Sequence, residues 1–168
     1  ELECIERIAA RGLDEPADFS ARNIDQGLEA SGPVQSFDLV FPGGARRARL
    51  SLAGRHNLRN ALGAAAAAHA AGATIDDVVR GLGSVKPVKG RLNFQQAMNG
   101  AVLVDDSYNA NPGSLRAGLD AIQPWGATRW LILGDMLELG DRSDDLHTDM
   151  GQVARAAGIE RLLAFGPK

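Results

Sequence analysis

Apolar and polar residues follow two different periods along the chain, and each period predicts its own kind of element. Residues 37–52 alternate apolar with polar side chains on both sides of Pro42-Gly43-Gly44, which predicts a β-hairpin. The first 33 residues carry no sustained period, and prolines and glycines interrupt them. We therefore expect an irregular start in which only residues 2–8 form a core-facing segment.

A helical period follows the hairpin. Residues 58–71 include five consecutive alanines and predict a helix with a cap at Asn57 and an end at Gly72. Thr74 and Asp77 have the spacing of a capping box, which predicts a second helix running to about residue 82.

The next segment, residues 83–90, has no period and combines glycine, proline and lysine, as linkers do. We therefore predict one domain over residues 1–88 and a second over residues 89–168.

The second half alternates strands with helices. Its first strands flank Asn99-Gly100, a strong hairpin signal. The hairpin strands are predicted at 92–98 and 101–104. The alternating pattern begins with the second of these, taken as strand 101–105, and continues with strands at 130–134 and 161–165 and helices at 114–122 and 143–157. This βαβαβ order predicts an α/β fold with a parallel sheet, whose ligand-binding loops follow the carboxyl ends of the strands.

Composition restricts the classes of function. The chain has 168 residues, of which 45% are hydrophobic and 23% charged, as is typical of a globular protein. Its net charge of -3 argues against a nucleic-acid partner, and no apolar run approaches the roughly 18 residues of a membrane span. The single cysteine, Cys4, has no partner for an internal disulfide, and we expect no signal peptide because the first residues lack a basic start and a cleavage site. We expect a cytoplasmic protein and, because the chain begins with Glu1 rather than Met, a piece of a longer one.

The segment richest in candidate chemistry is Asp105-Asp106-Ser107-Tyr108-Asn109-Ala110-Asn111-Pro112, here called the polar loop. It follows an apolar strand and precedes a helix, where α/β domains commonly hold charged ligands. Its carboxylates could accept from ribose hydroxyls or from water bound to magnesium. The alternative is a structural turn that caps the next helix, although a cap requires fewer than eight residues. The residues alone leave both interpretations open.

Three other segments offer polar groups. Asn57 and Asn60 share a face at the start of the first helix, and an asparagine amide matches the donor–acceptor edge of adenine. Arg91 follows the linker, where its planar guanidinium could reach a phosphate. Residues 134–140 follow the next strand and could contact a ligand, and His147 could line the same ligand cleft. The alternatives are an ordinary helix start, a solvated arginine, and a buried turn with a structural histidine.

Several catalytic signatures are missing from the sequence. It contains no Gly-x-x-x-x-Gly-Lys-Ser/Thr loop, no Gly-x-Gly-x-x-Gly after a strand, and no His-Glu-x-x-His, Cys-x-x-Cys or Gly-x-Ser-x-Gly motif. The residues therefore provide no phosphate cradle of these types, no structural zinc site and no hydrolase nucleophile.

Taken together, these segments resemble the Mur ligase family. Gly54-Arg55-His56-Asn57-Leu58-Arg59-Asn60-Ala61-Leu62 is similar to the segment that ends the family's central ATPase domain. Gly90-Arg91-Leu92 is similar to its arginine at the domain junction, and the polar loop with residues 133–140 has the form of one branch. The resemblance covers about residues 34–168. It implies the C-terminal part of a Mur-type central ATPase domain, followed by the start of a Rossmann-like, parallel-sheet C-terminal domain.

The resemblance also implies roles for individual residues. Asn57 and Asn60 would lie near adenine, with Asn60 as the base contact, Arg91 would reach the terminal phosphate, and Asp106 would meet the nucleotide. Arg91 and Asp106 would thus be catalytic, and Tyr108, Asn109 and Asn111 are candidates for the cleft wall. The implied nucleotide-binding set is His56, Asn57, Asn60, Arg91, Asp106, Tyr108 and Asn111. The phosphate-binding loop and most ligands of Mg²⁺ are expected upstream of this sequence, with no metal ligand within it.

The implied reaction is ATP-dependent amide ligation in peptidoglycan synthesis. ATP would phosphorylate the terminal carboxylate of UDP-N-acetylmuramoyl-tripeptide, and the amine of D-Ala-D-Ala would then displace phosphate. These small molecules are the implied partners of a monomeric enzyme, and this piece alone is expected to be inactive. Two alternatives stay open: another Mur or folylpolyglutamate-type ligase, and a noncatalytic Rossmann-like binding module.

Overall fold

The computed structural model describes residues 17–29, 31–125 and 128–167, so the prediction for residues 2–8 lies outside the described residues. The chain divides into two compact units, Glu1–Pro87 and Val88–Lys168. The assignment of residues 1–88 and 89–168 to parts of two Mur-type domains stays a prediction. Within the described ranges, no helix is long and apolar enough to cross a membrane.

The first unit contains a three-stranded antiparallel sheet in the order β1-β2-β3, formed by β1 (Ser20–Glu29), β2 (Gly32–Phe41) and β3 (Gly44–Leu50). The predicted hairpin is confirmed, because Phe41 pairs with Gly44 across a two-residue turn.

The prediction of an irregular start is wrong for Ser20–Glu29, which pairs with β2 as an edge strand. Most of β1 is exposed, so its sequence lacks the apolar alternation of a half-buried strand. Its register also shifts between Arg22 and Asp25, and Asn23 has a φ of 51° there. Such a bulge interrupts the period of two on which the prediction depends.

Two helices, α1 (Arg55–Ala70) and α2 (Ile75–Ser84), follow the sheet. The predicted cap at Asn57 is wrong, because α1 begins earlier and is capped by Gly54 with a φ of 87°. Glycine adopts this left-handed conformation without steric cost. The side chain of Asn57 instead donates to the carbonyl of Ala53 at 2.8 Å, from within the first turn of the helix.

The other predicted helix boundaries in this unit are confirmed. At the end of α1, the N–H of Gly72 donates to the His69 carbonyl at 2.9 Å and that of Ala73 to the Ala68 carbonyl at 3.0 Å. These two bonds form a Schellman motif around the left-handed Gly72. Thr74 then caps α2 by accepting from the Asp77 N–H at 3.2 Å.

The core of the first unit lies between the sheet and the helices. Alternate residues of β2 and β3 point to this face, and the small alanine side chains of α1 allow a close approach to it. Its buried members are Phe19, Phe37, Leu39, Ala48, Leu50, Leu58, Ala61, Leu62, Ala65, Ala66, Val78 and Leu82. Burial of each large apolar side chain contributes about 1.5–3 kcal/mol, so this cluster is the main source of stability in the unit.

The second unit begins with an antiparallel hairpin of β4 (Asn93–Gln96) and β5 (Val102–Asp105), which confirms the hairpin around Asn99-Gly100. The elements that follow are α3 (Pro112–Ile122), β6 (Trp130–Gly134), a 3₁₀ turn (Gly140–Arg142), α4 (Ser143–Ala156) and β7 (Arg161–Phe165).

The order of these elements confirms the α/β class. Strand β6 pairs in parallel with β7, and α4 forms the crossover between them. Among the described residues, hydrogen-bonded ladders join β4 to β5 and β6 to β7. The polar loop follows β5, and residues 135–140 follow β6. The strand order predicts ligand loops at 105–112, 134–142 and the start of 166–168, and β5, β6 and β7 end at Asp105, Gly134 and Phe165. These loops therefore follow carboxyl ends of strands, where α/β folds bind ligands.

Candidate functional site

The start of the polar loop is held by its own side chains. One oxygen of Asp105, Oδ1, accepts from the hydroxyl of Ser107 at 2.6 Å and from its N–H at 3.2 Å. The hydroxyl is the main reason why the pKa of Asp105 lies below its usual value, and the Ser107 and Gly90 N–H groups and the charge of Lys89 lower it further. Asp105 is thus a charged residue that stabilises the turn of the loop.

The end of the polar loop caps α3. The side-chain oxygen of Asn111 accepts from the Ser114 N–H at 2.9 Å, and the Ser114 hydroxyl accepts from the Asn111 N–H at 3.0 Å. With Pro112 as the first helical residue, this is a complete capping box. A ligand contact by Asn111, which stays a prediction, would have to use its Nδ2 amide.

The middle of the polar loop is bound to the junction segment, residues 88–92. The Tyr108 N–H donates to the Gly90 carbonyl at 3.0 Å, and the Leu92 N–H donates to Oδ1 of Asp106, also at 3.0 Å. Gly90 has a φ of 75°, and a Cβ atom there would lie only 3.1 Å from the Tyr108 nitrogen. A side chain at this position would be strained by the backbone conformation and tight against Tyr108, so glycine favours this close approach. The Gly90-Arg91-Leu92 segment and the polar loop are thereby held together by hydrogen bonds.

The side chain of Arg91 lies over the ring of Tyr108, with 4.2 Å between the guanidinium carbon and the ring centroid. This is a cation–π arrangement. Arg91 is exposed, and Tyr108 is 70% exposed. The structure thus brings together three of the predicted site residues, Arg91, Asp106 and Tyr108, within the second unit.

The predicted adenine contacts lie on the first turns of α1, in the first unit. Asn60 is exposed, whereas His56 and Asn57 are half-buried. The Asn57 amide nitrogen already binds the Ala53 carbonyl, so its oxygen is the group left for a ligand. Their roles at a nucleotide stay predictions.

Sequence reasoning missed Gln35, which fixes the loop before α1. Its side chain is 1% exposed, and its amide donates to the carbonyls of Leu52 at 2.7 Å and Gly54 at 3.1 Å. Together with Asn57, it binds three successive carbonyls and determines where the helix begins. A signal was available, because Gln35 occupies the same alternate positions of β2 as the buried Phe37 and Leu39.

The loop after β6 lines a cavity of about 310 Å³. Residues 135–140, Ser143 and Pro167 surround it, at the carboxyl ends of β6 and β7. The loop is attached to α4 by His147, whose Nε2 accepts from the Met136 N–H at 2.9 Å while Nδ1 lies 2.7 Å from the Ser143 carbonyl. A neutral ring protonated at Nδ1 satisfies both contacts, which fits the structural interpretation of this histidine.

The described side chains do not form a metal-binding cluster. No group of three or more His, Cys, Asp or Glu side chains among them could hold a metal ion. The described acidic residues of the site, Asp105 and Asp106, are instead bound by N–H and O–H donors of the polar loop and the junction segment.

The sequence and fold match known proteins. Residues 90–168 match the family described as Mur ligase, glutamate ligase domain. Over 150 residues the chain is 42% identical to the UDP-N-acetylmuramoyl-tripeptide–D-alanyl-D-alanine ligase of Escherichia coli (strain K12), a match that covers 89% of this chain and 32% of that protein. It superposes on MurF from Acinetobacter baumannii with a TM-score of 0.78 at 36% identity, covering 91% of this chain and 32% of that one. MurF from Thermotoga maritima gives a TM-score of 0.77, covering 94% and 35%, and at 23% identity this likeness shows the fold alone.

Residues 90–168 therefore match a domain of the Mur ligases, and the chain resembles that family, as its motifs indicate. Within that family it is similar to the UDP-N-acetylmuramoyl-tripeptide–D-alanyl-D-alanine ligases, the MurF enzymes. It spans about a third of the length of these relatives. The resemblance and the fold class are confirmed, and the roles of the individual site residues stay predictions.

Proposed function

We propose that this chain is a region of an ATP-dependent amide ligase that joins D-alanyl-D-alanine to UDP-N-acetylmuramoyl-tripeptide in peptidoglycan precursor synthesis. The names of its relatives support this reaction. One observation carries the proposal. Hydrogen bonds join the junction segment to the polar loop, and the backbone that they fix bears the exposed guanidinium of Arg91.

In the proposed reaction, an oxygen of the tripeptide carboxylate bonds to the terminal phosphorus of ATP, and ADP leaves. The amine of D-Ala-D-Ala then attacks the acyl carbon, loses a proton, and the C–O bond breaks as inorganic phosphate departs. Negative charge on the phosphoryl oxygens is the main requirement of such a transfer. Arg91 suits it, because a guanidinium is charged at any physiological pH and offers two parallel donors.

The remaining predicted residues are proposed to hold the nucleotide. Asn60 would bind the edge of adenine with its exposed amide, and Asn57 would accept with its unused oxygen. His56, Tyr108 and Asn111 would line the site. A MurF of the same fold, from Thermotoga maritima, was solved in complex with ADP.

Asp106 is proposed to meet the nucleotide with the carboxylate oxygen that does not bind the Leu92 N–H. Mg²⁺ would neutralise phosphate charge in the complete enzyme. The described residues include no cluster that could hold it, so we assign none of them to that ion. Asp106 could still accept from a water molecule on the metal.

The acceptor distinguishes this function from its alternatives. The full-length ligase that contains this sequence should release phosphate from ATP and form product when given UDP-N-acetylmuramoyl-tripeptide and D-Ala-D-Ala. Turnover with a single amino acid and none with the dipeptide would assign the chain to another Mur or folylpolyglutamate-type ligase. Nucleotide binding without ligation of any acceptor would favour a noncatalytic module.

Two further properties are proposed with this function. We propose a monomer, since all its substrates are small molecules, and a cytoplasmic location, where ATP is available. Sedimentation of the full-length protein and cell fractionation test them.

A further inference from the structure

We propose that Tyr108 is a positioning residue for Arg91, and that the face of its ring holds the guanidinium ready for the transferred phosphoryl group. This rests on the proposed ligase function and deepens it. The resemblance implies that Tyr108 lines the nucleotide site, whereas the geometry points to an action through Arg91.

The first observation is the stacking of the two side chains. The guanidinium carbon lies 4.2 Å from the ring centroid, well inside the roughly 6 Å limit of a cation–π contact. Tyr108 is 70% exposed, so burial in a core does not explain an aromatic residue at this place. It is also the single tyrosine of the chain.

The second observation is that the backbone of Arg91 is fixed on both sides. Before it, the carbonyl of Gly90 accepts from Tyr108, and after it the N–H of Leu92 donates to Asp106, each at 3.0 Å. Gly90 and Leu92 both have positive φ angles, 75° and 46°. The second of these is unfavourable for a residue with a side chain, so these bonds maintain a conformation that the isolated peptide would avoid.

Because the backbone of Arg91 is fixed, the rotation of its long side chain is the remaining conformational freedom. A ring face orients a planar guanidinium while its edge keeps its N–H donors for another partner. Restriction before the ligand binds lowers the entropy lost on binding, which is the general advantage of preorganisation. A ring is sufficient for this purpose, and the tyrosine hydroxyl is not required.

The same unit provides a matched control. Arg161 lies over the ring of Trp130 at 4.8 Å, a second arginine–aromatic pair. Trp130 is the first residue of β6, at the end of that strand opposite to the loop that follows it. Replacing it removes the same kind of contact outside the polar loop and the junction segment.

Steady-state kinetics of the full-length ligase test the proposal. Tyr108→Leu should lower kcat about two- to fivefold with little change in KM for ATP, the size expected of an exposed cation–π contact. Tyr108→Phe should restore most of the kcat lost in Tyr108→Leu, and Trp130→Leu should stay within about twofold of wild type. Tyr108→Leu should have no further effect in an Arg91→Ala background. An unchanged kcat in Tyr108→Leu would overturn the proposal, as would a Tyr108→Phe variant with a raised KM for ATP, since the hydroxyl would then contact the nucleotide.

The failure of this inference can be distinguished from the failure of the proposed function. If Arg91→Ala leaves ligation unchanged, the phosphate role of Arg91 falls, and this proposal falls with it. If Arg91→Ala abolishes ligation and Tyr108→Leu does not alter kcat, the positioning role alone falls. NMR of the full-length ligase with isotopically labelled arginine tests the contact without turnover. The ring-current shift of the Arg91 side-chain protons should persist in Tyr108→Phe and disappear in Tyr108→Leu, and its absence from the wild type would contradict the stack.

Discussion

The two units of the chain differ in how completely their apolar side chains are buried. In the first unit, Phe37, Leu39, Leu50 and Leu58 are at most 1% exposed and belong to one continuous core. In the second, Met136 and Met150 are buried within this chain, whereas apolar strand residues such as Ile132 are largely exposed, at 66%. The candidate site of the second unit is held by hydrogen bonds and an arginine–tyrosine stack.

This difference separates stability from site geometry. Burial of a large apolar side chain contributes more free energy than a single exposed hydrogen bond or ion pair. Core substitutions in the first unit should therefore destabilise it strongly. Substitutions around the polar loop should alter the orientation of a few groups and leave the free energy of unfolding nearly unchanged.

The largest expected effect is that of Leu58→Ala in α1. Leu58 is fully buried in the core of the first unit, so its truncation should lower the free energy of unfolding by about 2–5 kcal/mol. Hydrogen exchange of the amides of α1 measures this loss. Tryptophan fluorescence is an internal reference, because Trp125 and Trp130 both belong to the second unit.

The matched variant in the second unit is Ile132→Ala. Because Ile132 is mostly exposed, this substitution should lower the free energy of unfolding by less than about 1 kcal/mol. Hydrogen exchange of the amides of β6 measures this loss. Equal losses in the two variants would contradict the contrast between the units.

The next effect concerns the loop before α1. Gln35→Met keeps the size of the side chain but removes the amide donor to the Leu52 carbonyl and leaves the Gly54 carbonyl with only the Leu58 N–H, which should cost about 1–3 kcal/mol. Urea denaturation followed by circular dichroism measures this cost. Gln26→Met is the control, since the exposed Gln26 provides only one bond to Gln35, and a loss as large as that of Gln35→Met would rule out the role given to the two carbonyls.

The smallest effect is electrostatic and lies in the polar loop. Ser107→Ala removes the hydroxyl that most lowers the pKa of Asp105, so this pKa should rise toward its ordinary value of 3.8. A carboxylate with a lowered pKa stabilises the folded state above the ordinary pKa, and this contribution disappears as the pH falls through the folded-state pKa. In the variant, the free energy of unfolding of the second unit should therefore fall less than in the wild type as the pH drops below about 4.

Carbon-13 NMR titration of the carboxyl groups measures the pKa of Asp105 in the wild type and in Ser107→Ala. The pKa of Asp38, in the first unit, is lowered mainly by the Asn23 amide and also by Arg47. It should not move in Ser107→Ala. A titration of Asp105 that is the same in wild type and variant would show that the serine is not the cause.

Local signals predict much of this fold. Thr74, Gly72 and Asn99-Gly100 act on neighbours only a few residues away, so the chemistry of each residue is visible in the sequence. The edge strand β1 escapes prediction because its mostly exposed side chains and its bulge remove the apolar alternation. The cap of α1 escapes because Gly54 has no side chain to mark it.

The site is predicted in position but not in detail. The polar loop and Arg91 are visible as unusual residues at suitable places. The contacts that join them connect residues at least 14 positions apart, as with Leu92 and Asp106, and no local pattern shows them. The cap at Asn111 is local, by contrast. The residues leave a cap and a ligand-binding loop both open there, and the structure shows the cap.

The central claim is that the junction segment and the polar loop present Arg91 to a phosphoryl group. The most direct test is the single-turnover rate of phosphoryl transfer in the full-length ligase that contains this sequence. Arg91→Ala should lower this rate about 100- to 1,000-fold, and Arg91→Lys should fall between, because an ammonium lacks the planar pair of donors. Arg155→Ala, which removes an exposed arginine in the last turn of α4, should stay within about twofold of wild type. A folded Arg91→Ala enzyme that also stays within about twofold of the wild-type rate would contradict the claim.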